Sequence, residues 1–186
     1  MPILDSKTCE AEGVLNVARL MLVSARTAPK SGGEEDVLAA LVVGKEKDAI
    51  ADEMDKIADE RKIIGFRADA KNLRNSAAAV LIGVRGDQSY KLNCGACGYQ
   101  TCAEFDQAKK VEGPDFRGPN CNFKILDLGV ALGSAVKTAS ILNVDNRIGY
   151  RIGVAARRLH LLPEASIIMG IPISATSKSI YFDRPS

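Results

Sequence analysis

Cys94-Gly95-Ala96-Cys97-Gly98-Tyr99-Gln100-Thr101-Cys102 places three thiols within nine residues, and a fourth, Cys121, follows nineteen positions later. Four of the five cysteines thus share one constellation, spaced C-x2-C-x4-C-x18-C. Thiolates are soft ligands that suit iron–sulfur clusters, zinc or copper(I). Gly95 and Gly98 each follow a cysteine, and glycine lets backbone pass close to a cluster and adopt positive φ. Three alternatives to a 4Fe–4S cubane stay open at this point. Structural zinc uses four cysteines, usually as two short pairs, whereas these divide three and one. Plant-type two-iron ferredoxins space their ligands x4 then x2, the reverse of this order. A thioredoxin-like C-x2-C dithiol leaves Cys102 and Cys121 without a role.

The whole chain sets the setting of that loop. Its 186 residues suffice for one domain with a core of its own. A hydrophobic fraction of 46% and a charged fraction of 26% sit near globular averages. A net charge of +2, with basic pairs only at Lys109-Lys110 and Arg157-Arg158, gives no reason to expect nucleic acid or an anionic membrane as partner. No apolar run approaches the roughly 20 residues needed to span a bilayer. The start, Met1-Pro2-Ile3-Leu4-Asp5-Ser6-Lys7, does not read as a secretory signal, so a cytoplasmic, reducing location is the expectation. There, clustered cysteines read as metal ligands rather than disulfides. Cys9, alone, reads as a small buried residue. His160, the only histidine, lies between leucines and reads as structural, which leaves no conventional proton-shuttling hydrolase.

Outward from the loop, helices and strands alternate irregularly. Val14, Val17, Ala18, Met21, Leu22 and Ala25 recur at helical spacing within 8–28, ended by Pro29. The apolar run 37–43 reads as a buried central strand, and 45–62 as a helix burying Ile50, Met54 and Ile57. A short helix over 66–75 and a strand over 79–84 precede the cysteines, and a helix over 101–111 follows Thr101. The stretch 123–142 is apolar nearly all round and reads as a buried helix, with small-residue faces at Gly129, Ala131, Gly133 and Ala135. Residues 148–153 read as a strand, 154–160 as a helix and 166–173 as a strand. The expectation is an α+β fold with helices covering the sheet.

Two resemblances carry further expectations. Cys-Gly-x-Cys-Gly-x-x-x-Cys with a later fourth cysteine resembles the small 4Fe–4S domain of anaerobic electron-transfer and carbon-monoxide/acetyl-CoA enzymes, which implies that Cys94, Cys97, Cys102 and Cys121 ligate one cubane. Asn122 stands where that family commonly has proline. The flanking sequence resembles the nitroreductase fold of flavin enzymes. Ser24-Ala25-Arg26-Thr27-Ala28-Pro29-Lys30-Ser31 is similar to its Ala-Ala-Arg-x-Ala-Pro-Ser stretch, and Leu162-Pro163-Glu164 with Gly170-Ile171-Pro172 to its closing segment. The whole arrangement resembles a family of uncharacterised proteins carrying a ferredoxin domain. On this view 1–92 and 123–186 form a nitroreductase-like domain, a mixed β-sheet covered by helices, and 93–122 is an inserted cluster-binding segment. The resemblance implies a homodimer packed through helix 123–142, and FMN beside Arg26, Pro29, Lys30 and Ser31 with Lys178 or Arg184 near its phosphate. It also implies a redox partner protein or small-molecule electron acceptor. The flavin family's Arg-x-Ser-x-Arg clamp has no counterpart between Met1 and Arg19, which removes a bidentate phosphate ligand. The competing expectation is therefore a cluster-containing binding or sensing module without flavin.

Overall fold

The strand Ala78–Val84 (β2) is buried at every position, and its side chains alternate between two separate cores. Ala78, Val80, Ile82 and Val84 enter one, Ala79 and Leu81 the other. That alternation is inherent to a strand, and a strand buried on both faces must be apolar throughout. In this computed structural model, which describes residues 3–182, two helical layers enclose the sheet.

The chain begins with α1 (Ser6–Thr27), whose N-terminus is capped by Asp5 accepting from Thr8 N at 2.9 Å. After a short turn at 31–33 come β1 (Val37–Val42), α2 (Gly44–Arg61), α3 (Ile64–Arg74) and then β2. The cysteine region holds α4 (Cys102–Gln107) and a hairpin of β3 (Val111–Glu112) and β4 (Arg117–Gly118). It leads into α5 (Asn122–Ile141), β5 (Asp145–Asn146), α6 (Tyr150–Arg158) and β6 (Ile167–Ser174). The main sheet runs β1-β2-β6-β5 with every pairing antiparallel, in a register set by Val37↔Val84 and Ala78↔Ile173. α1 and α5 cover one face, α2, α3 and α6 the other. Met21, Ile50, Met54, Ile57 and Phe66 have no exposed surface. Each such side chain contributes about 1.5–3 kcal/mol relative to exposure.

The expected helical faces are present: Val14, Val17, Ala18, Met21 and Ala25 are buried on α1, and Ile50, Met54 and Ile57 on α2. Five expectations need correction. β1 is an edge strand, with β2 and β6 central, because the run 37–42 pairs on one side only. Residues 148–153 are not a strand, since Ile152, Ala155, Ala156 and Leu159 carry a helical i, i+3, i+4, i+7 pattern that begins inside that window. Gly153 permits that packing, as a Cβ there would lie 1.7 Å from the Ile168 carbonyl oxygen. The helix opened by Thr101 stops at Gln107, where Ala108 turns extended and Lys110 Nζ donates to the Phe105 carbonyl at 2.5 Å. α5 is buried on one side only, leaving Leu126 and Val130 exposed. Cys9 is exposed, because the first turns of α1 precede its buried stripe, which starts at Val14. Among the described residues, no helix is long and apolar enough to cross a membrane.

Candidate metal centre

The cysteine loop winds tightly. Lys91 (φ 56°), Asn93 (φ 49°), Gly95 (φ 71°) and Gly98 (φ 89°) all take positive φ within eight residues. Glycine and asparagine are the residues that visit this region at least cost. Gly98 N donates to the Gly95 carbonyl at 3.0 Å, closing the turn between Cys94 and Cys97.

Asn93 ties the loop's start to its third thiol. Its side-chain Oδ1 accepts from Cys102 N at 2.8 Å, and its own N–H donates to Cys102 Sγ at 3.3 Å. Cys102 opens α4 behind a reciprocal cap: Thr101 Oγ1 accepts from Glu104 N at 3.2 Å, and Glu104 Oε2 accepts from Thr101 N at 3.4 Å. Cys121 stands at the N-cap of α5, its N–H donating to the Gly86 carbonyl at 2.7 Å. The next residue, Asn122, donates from Nδ2 to the Ala96 carbonyl at 2.5 Å. The helix carrying the fourth thiol is thereby fastened to the loop carrying the first two.

All four thiols are unbridged: Cys94 is exposed, Cys97 and Cys102 half-buried, Cys121 buried. In this conformation, among the described residues, no three histidine, cysteine, aspartate or glutamate side chains converge closely enough to hold a metal ion. The donor set nonetheless fits an iron–sulfur cluster. It offers four soft donors, an amide N–H aimed at one sulfur, and two glycines whose backbone leaves room: among the described residues, Gly98 and its chain neighbours aside, no atom lies within 4 Å of a Cβ placed on Gly98.

The residues that the flavin resemblance singles out are engaged with protein. Arg26 pairs with Glu35, whose carboxyl that hydrogen bond holds below its usual range. Lys30 Nζ donates to the Arg26 and Ala28 carbonyls at 2.6 and 2.7 Å, capping the end of α1. Burial, then the Arg26 charge, pulls the Lys30 ammonium below its ordinary range. Ser31 donates to Asp127 from N at 3.1 Å and from Oγ at 3.1 Å. Pro29 ends α1, and Lys178 lies exposed in the stretch after β6. Arg184 lies outside the described residues.

Asp127 reveals a junction that reading the sequence for motifs missed. Buried on α5, it also accepts from Tyr90 Oη at 2.6 Å. Burial and that bond push the Tyr90 phenol above its ordinary range. One turn earlier on the same face, Lys124 pairs with Asp36 at 2.5 Å and stands 4.9 Å from the Tyr90 ring centroid. The signal was present: two charges spaced i, i+3 on an otherwise apolar helix share a face and need buried partners.

Comparison with known proteins places the cysteine region and the C-terminal part in described families. A family model described as "Putative Fe-S cluster" matches residues 91–111, and one described as "Uncharacterized protein containing a ferredoxin domain" matches 117–184. Nitroreductase CinD from Lactococcus lactis, solved with nicotinic acid, superposes with a TM-score of 0.58 at 12% identity, covering 95% of this chain and 81% of that one. An FMN-dependent nitroreductase from Clostridium difficile gives 0.53 at 16% identity, covering 88% and 76%. At these identities the likeness shows the fold alone. The class so defined is an iron–sulfur protein of redox type with a nitroreductase-like α+β fold. An uncharacterised protein from Archaeoglobus fulgidus is 47% identical over 182 residues, 98% of this chain and 97% of its own length. The chain belongs to the family of uncharacterised proteins containing a ferredoxin domain.

Proposed function

We propose that the chain holds one 4Fe–4S cluster on Cys94, Cys97, Cys102 and Cys121 and serves in one-electron transfer inside the cytoplasm. The observation that carries this reading is the fastening of the Cys121 helix to the three-cysteine loop through Asn122, with Asn93 N–H donating to Cys102 Sγ. Such amide bonds to sulfur, together with exposure, set the potential of a cluster, which supplies the one-electron chemistry. The chain's own part is to hold the ligands, donate to sulfur and leave Cys94 near the surface, where a redox partner protein or small-molecule acceptor approaches.

The reading extends to a homodimer packed through α5. Leu126 and Val130 on α5, and Leu20 and Val23 on α1, are exposed, and the space beside Gly129 and Gly133 is open. Val130→Glu should halve the mass measured by light scattering. An unchanged mass would remove α5 as the contact.

Flavin coupling is the finer part, and a second reading competes with it. Lys30 and Ser31 are engaged by the α1 carbonyls and Asp127, which favours a cluster-containing binding or sensing module that has lost its FMN site. One preparation separates the readings: anaerobically purified protein assayed for iron and sulfide, with EPR and a visible spectrum. Four irons without flavin absorbance remove the flavin coupling and leave a cluster protein without an FMN site, and a bound flavin reinstates the coupled oxidoreductase. Iron-free, zinc-loaded protein would sink both.

A further inference from the structure

Away from the cysteine loop, a cleft of about 530 Å³ lies between the β3–β4 hairpin and the turn after α6. Sites for small ligands typically span roughly 300–1,000 Å³. Charged and polar side chains crowd its wall, among them Arg117, Arg157, Arg158, His160, Glu112 and Asp115. Two of these are held from outside. Arg158 is gripped by Glu60 at 2.7 and 3.1 Å and by Glu53 at 2.9 Å, while Asp115 accepts from Arg61 and from Tyr150 Oη at 3.0 Å.

What remains is Arg117, Arg157 and His160 around one carboxylate, Glu112. Arg157 donates from Nη2 to Glu112 and from Nε to the Ser166 carbonyl at 3.3 Å. Arg117 gives Nη2 to Asp87 at 2.8 Å and stands 3.9 Å from Glu112, and its buried Nε has no hydrogen-bond partner among the described residues. Glu112 itself is an exposed side chain on a two-residue strand. Its carboxyl sits below the usual range because of the Arg157 hydrogen bond, then the charges of Arg157, Arg117 and His160.

The backbone adds an independent sign. His160 (φ 55°) and Leu162 (φ 54°) both take the left-handed conformation within this wall. His160 closes the end of α6 where glycine usually stands, with His160 N donating to the Arg157 carbonyl at 2.9 Å. Leu162 also precedes Pro163, a position biased toward extended backbone. Residues held in such conformations cluster at ligand clamps.

We propose that this cleft binds a small molecule through an oxyanion group, carboxylate or phosphate, seated on Arg157 and Arg117 beside His160. Glu112 is the internal carboxylate that occupies the seat until the ligand displaces it. Arginine suits this task because its planar fork matches carboxylate and phosphate oxygens in pairs.

Calorimetric titration of the full, anaerobically purified chain with inorganic phosphate, and separately with succinate, tests the site at fixed ionic strength. Saturable binding of one probe identifies the preferred oxyanion, and binding of both assigns the site to the shared chemistry. Glu112→Gln should tighten that binding about tenfold by removing the competitor, and Arg157→Gln should weaken it at least as much. Arg157→Gln is read only where circular dichroism shows it folded. Glu112→Gln carries the test on its own, since its side chain is exposed. No saturable binding to wild type and Glu112→Gln, or a Glu112→Gln variant that binds no tighter, would overturn the proposal.

Discussion

The β2–β6 core and the cysteine segment are built on opposite principles. Every residue of β2 is buried, and two apolar clusters press on its faces. Between residues 91 and 122 only Phe105 and Cys121 are buried. The core is held by apolar surface withdrawn from water, which is non-directional and additive over many side chains. The segment is held by single directional bonds: Asn93 to Cys102, Asn122 to Ala96, the Thr101–Glu104 cap, and Lys110 Nζ 3.8 Å above the Phe105 ring. A region with so little buried surface leans on those few bonds and can open while the core stays folded. The difference teaches that the scaffold and the cysteine segment should fail separately.

The largest effect expected is therefore confined to the segment. Cys97→Ser should abolish iron binding and leave the far-ultraviolet circular dichroism of the core close to wild type. Cys9→Ser, on the exposed start of α1, should retain a full iron complement. Equal iron loss from both variants would break the ligand assignment. Collapse of the core in Cys97→Ser would break the comparison itself.

The converse substitution sits in the core. Lys124 is almost fully buried, and Asp36 is its charge partner at 2.5 Å. Removing one member leaves the other charged and unpaired in a place water does not reach, which costs about 3–5 kcal/mol. Asp36→Asn should lower global stability by that amount in a denaturant melt of cluster-free protein. A change within about 0.5 kcal/mol, the usual range for surface substitutions, would mean that water or another residue compensates Lys124.

What the sequence disclosed follows the same divide. Local signals read correctly: the α1 and α2 stripes, the punctuation at Pro29, and the existence of a strand near 79–84. Position within the sheet was illegible, because the run 37–42 has the same apolar character whether one edge or both are paired. Residues 148–153 misled because Ile148, Tyr150 and Ile152 alternate over too short a window to reveal the helical period that starts there. At the site, the four cysteines stood out by spacing, whereas Asn93, Tyr90 and Asp127 did not. Their roles depend on partners 9, 37 and 96 residues away, and no local pattern records such contacts.

The smallest effect expected lies at the joint between the two regions. Tyr90, just before the cysteine loop, and Ser31, just after α1, both donate to Asp127 on α5. Tyr90→Phe keeps the ring beneath Lys124 and deletes one hydrogen bond to a carboxylate, costing about 1.5–3 kcal/mol. The phenol's folded pKa is raised above its ordinary value of 10.0, by burial first and by Asp127 second. A raised folded pKa means that the stability it contributes is fully present below pH 10.0 and declines as pH rises through the folded value. The stability gap between wild type and Tyr90→Phe should accordingly be constant near neutrality and shrink in alkaline solution. The other tyrosines and lysines titrate in both proteins and cancel in the difference. A gap that widens above pH 10.0 would reverse the sign and show that Tyr90 is held as phenolate. Hydrogen exchange sharpens the point: loss of the shared acceptor in Asp127→Ala should release amides of 30–33 and 90–98 together, whereas Tyr90→Phe should release only the second set.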